Sequence, residues 1–404
     1  MRLPAALASS ITASITAVTT VLALSLSAGL FNAAHAAGSC VPAGEWVMPG
    51  GKRVAASEVL ADAARSSVVL LGESHDDMEH HRWQLQTLAA LAAARGRLQI
   101  GFESFPRRVQ PALDRWVAGD LSEADFLVQS DWRKVWNMDA QLYLPLFHFA
   151  RMNRFPMLAL NVDSDLVRSI ARNGLQSVPE DKREGVGKAA PAAAAYLDRL
   201  FASYAAHPEK PDKSDGSRKP ARSDPAFLRF VDAQQFWDRA MAQGIADALK
   251  RDPKALVVGV MGAEHVARGY GVVHQLAALG ITSVTSLLPW DMDADCKNLQ
   301  PGLATAVFGV PDLKESVSRP RLGIRIEVAP DGVRVVEISA GSLAEASGLR
   351  ANDVLMEVAG KTLKLPAELV AIVAGMPAGT WLPLKARRDG QVVELVAKFP
   401  PAKP

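Results

Sequence analysis

Two short blocks carry residue types that chemistry needs: Gly72-Glu73-Ser74-His75 and Gly262-Ala263-Glu264-His265. Imidazole ligates metals and haem iron, and it moves protons near neutral pH. A carboxylate beside it can hold a cation or act as a base. Each block follows an apolar, β-branched run, at residues 67–71 and 255–261. Such runs form buried strands of a parallel sheet. A glycine at the strand end lets the backbone turn and deliver the Glu and His at one edge of the sheet. Open α/β sheets bind ligands outside the carboxyl ends of their strands. The two blocks are therefore expected to converge on one pocket, a site for a metal, a haem or proton chemistry.

Glu73, Glu103 and Glu264 are the carboxylate candidates. His75, Glu103 and His265 make a two-histidine, one-carboxylate metal set, with Glu73 as a base or as a group behind the ligands. Glu264 fits equally well as a helix N-terminal residue favoured by the macrodipole. His80 and His81 read as the polar start of a helix. The aromatic stretch 131–151 supplies Trp132, Trp136, Phe147 and Phe149 to a core, and leaves Tyr143 and His148 open to serve a haem. Arg107 and Arg108 follow the strand that carries Glu103. They suit a propionate or another acid group, or else are solvated loop charges. The chain holds no G-x-S-x-G, no Walker A and no dinucleotide-binding glycine fingerprint after a strand.

Positioning these groups needs strands and helices in alternation. Strands are expected at 67–71, 98–103, 156–162, 255–261 and 281–288. Helices are expected at 80–95, 110–117, 122–130, 140–153, 164–173, 191–207, 225–251 and 271–279. That alternation predicts an α/β fold, a wound and mostly parallel sheet with helices on both faces. Polar residues follow every strand, and ordinary helix capping accounts for Ser74, Ser104 and Asp163 among them.

With 404 residues, 49% of them apolar, the chain can bury one large core and a smaller one. A net charge of +2 argues against a general nucleic-acid binder. Residues 1–36 read as a secretory signal: Arg2 near the start, an apolar stretch, then Ala34-His35-Ala36. The chain is thus expected to be exported. Its two cysteines, Cys40 and Cys296, flank the α/β region. In an oxidising compartment they form one bridge, or else Cys40 is lipidated after a degenerate lipobox. The two alternatives exclude each other. Residues 207–225 read as a polar surface insertion, and 301–318 as a connector whose apolar stretch docks on a neighbour.

The last 85 or so residues change character, to short strands at 322–328, 333–338, 354–358, 381–388 and 392–399 with helices at 343–347 and 366–374. Arg321-Leu322-Gly323-Ile324, Gly341-Ser342-Leu343-Ala344, the run SGLRANDVL at 347–355 and Gly360-Lys361 make residues 319–400 resemble a bacterial PDZ domain. Asn352 stands where relatives carry Gly, a change that a positive φ tolerates. The resemblance implies a peptide strand added beside Leu322, Gly323 and Ile324, its side chain against Leu369 and Val373. The expected partner is a polypeptide C-terminus.

Residues 40–300 resemble the ChaN-type haem-binding uptake family, within a superfamily that includes Tiki, TraB and erythromycin-esterase-like proteins. The resemblance rests on VVLLGESHDDMEHHRWQL (68–85), GFESFPRRVQPALDRW (101–116), VWNMDAQLYLPLFHFAR (135–151), MLALNVD (157–163), VVGVMGAEH (257–265) and LLPWD (287–291). It implies an exported haem- or iron-binding protein in haem or iron uptake, periplasmic or lipid-anchored at the outer membrane. Its cofactor contacts would be His75, Tyr143, His148, Arg107 and His265. Haem held between subunits would make the protein a homodimer. The alternative from the same superfamily is a metal-dependent peptidase or esterase, with a divalent ion on His75, Glu103 and His265 and Glu73 as base.

Overall fold

The computed structural model describes residues 39–136, 138–206, 220–311 and 320–401. The expected signal segment, most of the polar insertion and the end of the connector lie outside the described residues. The chain divides into two compact units after Pro311.

The first unit holds an eight-stranded sheet. Its strands are β1 (Trp46–Met48), β2 (Lys52–Val54), β3 (Val68–Glu73), β4 (Leu98–Pro106), β5 (Met157–Asn161), β6 (Leu256–Gly262), β7 (Val284–Asp291) and β8 (Ala306–Val310). Their order across the sheet is β2-β1-β8-β7-β3-β6-β4-β5. The run from β8 to β5 is parallel, and β1 joins β8 antiparallel. Every residue of β3, β4, β5 and β6 is buried. Strands covered on both faces read as unbroken apolar runs, which is why the sequence located them within a few residues. Alternate residues face opposite layers. Val69 and Leu71 pack with Trp83, Leu88, Trp116 and Phe147 of one helical layer. Val68 and Leu70 pack with Met241, Ile245 and Leu276 of the other. This is the wound α/β sheet the alternation predicts, with helices on both faces.

Strand order decides the site. β6 enters between β3 and β4, so Glu73 pairs in register with Gly262 and Phe102 with Val260. The two Gly-x-x-His blocks, distant in sequence, thereby become neighbours at one sheet edge.

Part of the expected connector belongs to the sheet. Ala306–Val310 is β8, bonded to β7 on one side and β1 on the other. Ala306, Val307 and Val310 are buried there with Phe308 half-buried, and Gly309 admits the chain at Pro42. A Cβ on Gly309 would lie 2.0 Å from the Pro42 carbonyl oxygen. β1 and β2, three residues each, are too short to show a period. Cys40 is disulfide-bonded to Cys296, with Cα atoms 5.8 Å apart. The bond ties the segment before β1 to the one between β7 and β8, and it occupies the sulfur that a lipid would need.

The second unit is a six-stranded antiparallel sheet. Its strands are β9 (Ile324–Ala329), β10 (Gly332–Ile338), β11 (Val354–Val358), β12 (Lys361–Thr362), β13 (Trp381–Arg388) and β14 (Gln391–Lys398). The order is β14-β13-β11-β10-β9, with β12 on β11. Val333, Val335, Leu355, Leu382 and Leu384 build its core with Leu369 and Val373 of the helix Pro366–Ala374. Asn352 takes φ 71°, as a replacement for glycine must. Asp353 is buried and receives Arg388 through both carboxylate oxygens, at 2.8 and 2.7 Å. No helix among the described residues is long and apolar enough to cross a membrane.

Candidate cation and haem site at the sheet edge

His75, Glu103 and His265 meet at the carboxyl ends of β3, β4 and β6. Glu103 is wholly buried, and its Oε2 accepts the Gly262 N–H at 2.7 Å. His265 Nε2 lies 3.4 Å from Glu103 Oε1. A methyl added to Gly262 would stand 3.3 Å from His75 Nε2 and 3.5 Å from Glu103 Oε2, so ring nitrogen and carboxylate face one small gap over that glycine. Gly262 has φ −54°, so it is glycine for space rather than for conformation.

Each imidazole is held from behind by a carboxylate. His75 Nδ1 donates to Glu73 Oε1 at 2.8 Å, and His265 Nδ1 donates to Asp238 Oδ1 at 2.6 Å. Each carboxylate also accepts a tyrosine hydroxyl: Tyr143 to Glu73 at 2.6 Å, Tyr196 to Asp238 at 2.7 Å. When a ring is neutral its proton sits on Nδ1 and Nε2 carries the lone pair that a metal requires, so a cation binds His265 by displacing its second proton. A metal-bound histidine normally donates its other N–H to a carboxylate in this way. Glu103 Oε1 is a buried oxygen with no hydrogen-bond partner. Such an atom is costly unless a proton or a cation reaches it.

Charge in this cluster is mutually supported. Burial alone would push His265 down, but the charge of Glu103 and the bond to Asp238 carry it up to about 10. Burial would raise Glu103, yet His265 beside it holds the carboxyl below its usual range. His75, its side chain 32% exposed, is also raised, since its bond to Glu73 and the charges of Glu103 and Glu73 outweigh its burial. A ring raised from about 6.5 stabilises the fold fully below that value and loses the contribution as pH climbs through its folded value. Without added metal, urea-unfolding stability should therefore fall by a few kcal/mol between pH 7 and 10. The decline should flatten in His265→Gln. A wild-type profile no steeper than the variant's would mean that the folded ring is neutral.

Several expected residues stand elsewhere or in other roles. Glu73 is no free base, because it is buried and its Oε1 already accepts both His75 and Tyr143. Tyr143 is buried, its hydroxyl donates to Glu73, and burial beside that carboxylate pushes its phenol far up. His148 bonds Glu123 at 3.1 Å outside the cluster. Five residues along one helix, it points about 140° away from Tyr143. Arg107 donates to the Glu184 and Ala240 carbonyls at 2.6 and 2.8 Å, also outside the cluster. Glu264 is exposed and paired with Arg199. Ser74, Ser104 and Asp163 are not side-chain caps. Asp77 caps the helix Met78–Arg95, Ser104 lies within β4, and Asp163 holds Arg108.

His80 and His81 are buried rather than solvated, because their helix starts on the sheet edge. His81 Nδ1 faces Gln84 Oε1 at 3.0 Å and Nε2 faces the His75 carbonyl at 3.2 Å. Its Nδ1 is also 3.2 Å from Glu73 Oε2, close enough for charge but poorly aimed for a hydrogen bond. His80 Nε2 lies 3.0 Å from Asp291 Oδ1. Asp77, His80 and Asp291 can present ligand atoms within 4.8 Å of one another, a tighter set than the one above Gly262. Yet the Ser74 N–H donates to His80 Nδ1 at 2.8 Å, which leaves the proton on Nε2. That nitrogen gives a hydrogen bond to Asp291 and has no lone pair for a metal.

A cavity of about 550 Å³ opens beside the cluster at the ends of β4 and β5, lined by Trp136, Trp237, Ser104, Arg108, Lys134 and Arg168 among others. The two indoles pack edge-on against the imidazoles, Trp136 on His75 at 4.7 Å and Trp237 on His265 at 4.8 Å between ring centres.

The family model described as haem-binding uptake, Tiki superfamily, ChaN, matches residues 59–276. The chain belongs to the ChaN family. A PDZ-domain model matches residues 320–398, so this ChaN-type chain also carries a C-terminal PDZ domain. Among solved structures it is similar to ChaN of Campylobacter jejuni, described with cofacial haem binding, at 17% identity and a TM-score of 0.50. That match covers 65% of this chain and 95% of the other. It is also similar to an HtrA3 PDZ domain bound to a phage-derived ligand, at 23% identity over 19% of this chain and 82% of the other, with a TM-score of 0.18. The magnetosome formation protease MamE of Magnetospirillum gryphiswaldense is 44% identical over 61 residues, 15% of this chain. The chain spans 8% of that relative's length.

Proposed function

We propose that the ChaN-type unit binds haem or iron at His75 in an exported uptake protein, while the PDZ unit holds the C-terminus of a polypeptide partner. The observation that carries the reading is the His75 ring. Glu73 fixes a proton on Nδ1, so the neutral ring presents its lone pair at Nε2, on a partly exposed side chain against Trp136. A histidine ligates haem iron through that kind of nitrogen. The neighbouring cavity offers indole walls for a flat ring and Arg108, Lys134 and Arg168 for acid groups. On the PDZ unit, Leu322, Gly323, Ile324, Leu369 and Val373 line one groove of about 490 Å³. Among the described residues β9 beside it pairs only with β10, which suits strand addition. The Cys40–Cys296 bond suits an oxidising compartment and so supports export to the periplasm. Dimerisation around haem is part of the proposal, and the bond at Cys40 leaves no sulfur there for a lipid anchor.

Haemin titration tests it. Wild-type protein should give a shifted Soret band at micromolar haemin, and His75→Ala should weaken binding by about tenfold or more, a loss of at least ~1.4 kcal/mol. Binding no better than to an unrelated protein, or unchanged in the variant, would sink the reading.

One observation favours a second reading. The buried Glu103 carboxylate faces His265 Nε2 through Oε1 and the gap beside His75 through Oε2, and two imidazoles and a carboxylate make a donor set for a divalent ion of the kind used in hydrolysis. His75, Glu103 and His265 would hold the ion, which would supply Lewis acidity and an activated water.

A further inference from the structure

Beneath the two ring nitrogens lies a matched pair of supports that neither reading requires by itself. On one face of the sheet, Tyr143 from the helix Ala140–Asn153 donates to Glu73, which accepts His75 Nδ1. On the other, Tyr196 from the helix Ala194–Ala206 donates to Asp238 of the helix Pro225–Arg251, which accepts His265 Nδ1. All four supporting groups are buried. The two supports share no chain segment, yet in each a tyrosine donates to a carboxylate that in turn accepts an imidazole Nδ1.

Packing fixes the second support further. A Cβ on Gly271 would come within 2.8 Å of Asp238 Oδ1, so the loop before the helix Val272–Ala278 closes directly over the carboxylate. One Asp238 oxygen is committed to Tyr196 and the other to His265, and the carboxylate cannot rotate without breaking both bonds.

We infer that Asp238, held by Tyr196, is a positioning residue that keeps the His265 proton on Nδ1 and aims Nε2 at the gap beside Glu103. It does for His265 what Glu73 and Tyr143 do for His75. The inference deepens the cation reading of the site and rests on it for the ligand, though not for the ring geometry.

The isosteric change Asp238→Asn separates positioning from filling space. Tyr196 donates to one atom of this group, so the asparagine oxygen belongs there. Its amide nitrogen then faces His265 as a donor, which requires the ring to accept at Nδ1 and to move its proton to Nε2.

The experiment uses the full chain. Zn²⁺ binding is measured by calorimetry, and the His265 nitrogens are assigned by ¹⁵N-histidine NMR on metal-free protein. Wild type should keep Nδ1 protonated, both on the cationic ring and once the ring has lost its Nε2 proton at higher pH. Asp238→Asn should lose that Nδ1 proton and weaken Zn²⁺ by about 10- to 100-fold, the usual effect of removing a ligand's outer partner. Tyr196→Phe, which leaves the carboxylate in place, should keep the tautomer and weaken Zn²⁺ less. It also serves as the second variant should Asp238→Asn not fold, when Zn²⁺ affinity equal to wild type would overturn the inference. An unprotonated Nδ1 in wild type, or a tautomer and an affinity unchanged in a folded Asp238→Asn, would overturn it too. Absence of Zn²⁺ binding in wild type would count against the cation reading alone, since the tautomer is read without metal.

Discussion

Removing the Cys40–Cys296 bond should cost the ChaN-type unit roughly 5 kcal/mol in the loop-closure picture. The bond closes a loop of 256 residues that contains β1 to β7, so the unfolded chain gains much freedom when it is cut. The folded state loses a tether as well. Cys40 precedes β1, which reaches the sheet only through its short pairing with β8. Trp46 of β1 packs on Trp83 and Phe308, and both contacts depend on that docking. The double variant Cys40→Ser, Cys296→Ser should show a urea midpoint well below wild type, and dithiothreitol should take wild type to the same point. An unchanged midpoint would mean that the strand pairing holds this end of the sheet unaided.

Gly262→Val should abolish capture of Zn²⁺ and of haemin, a loss of at least about 100-fold, while the protein remains folded. The backbone at Gly262 suits any residue, with φ −54° and ψ 138°. Its added carbons would instead enter the gap between the rings. The Cβ alone would stand 3.1 Å from His75 Cε1 and 3.3 Å from Nε2, and the methyl groups would take the space a ligand needs. His75 is the partly exposed ring and can swing aside, whereas Glu103 and His265 are buried. Circular dichroism should therefore stay native while both titrations go flat. Retained affinity in a folded variant would mean that neither ligand uses the gap over Gly262.

The two blocks that open the sequence analysis are local signals, because a glycine at the end of an apolar strand and the polar residues after it lie within a few positions. Asp238 is not local. It lies in a 27-residue helix among Phe236, Ala240, Met241 and Ala242, and the one hint was an acid on a buried apolar face. Tyr196 stands in an alanine-rich helix and gave no hint. His80 and His81 read as solvated because their segment is polar. They are buried because the helix Met78–Arg95 begins on the sheet edge, which its own residues do not reveal. Residues 306–310 read as part of a connector, since four apolar residues around a glycine, followed by a proline, can dock as easily as they can pair.

Composition and period determined by themselves that this chain makes a wound α/β unit and a small β-rich unit, since burial on both faces or on one writes itself into the order of apolar residues. Tertiary structure alone decided that β6 lies between β3 and β4. Strand order depends on pairing between segments far apart in the chain, and any apolar strand could satisfy it. Only that pairing sets Glu73 beside Gly262, turns His75 and His265 toward one carboxylate, and places Tyr143 and Tyr196 behind them on opposite faces of the sheet.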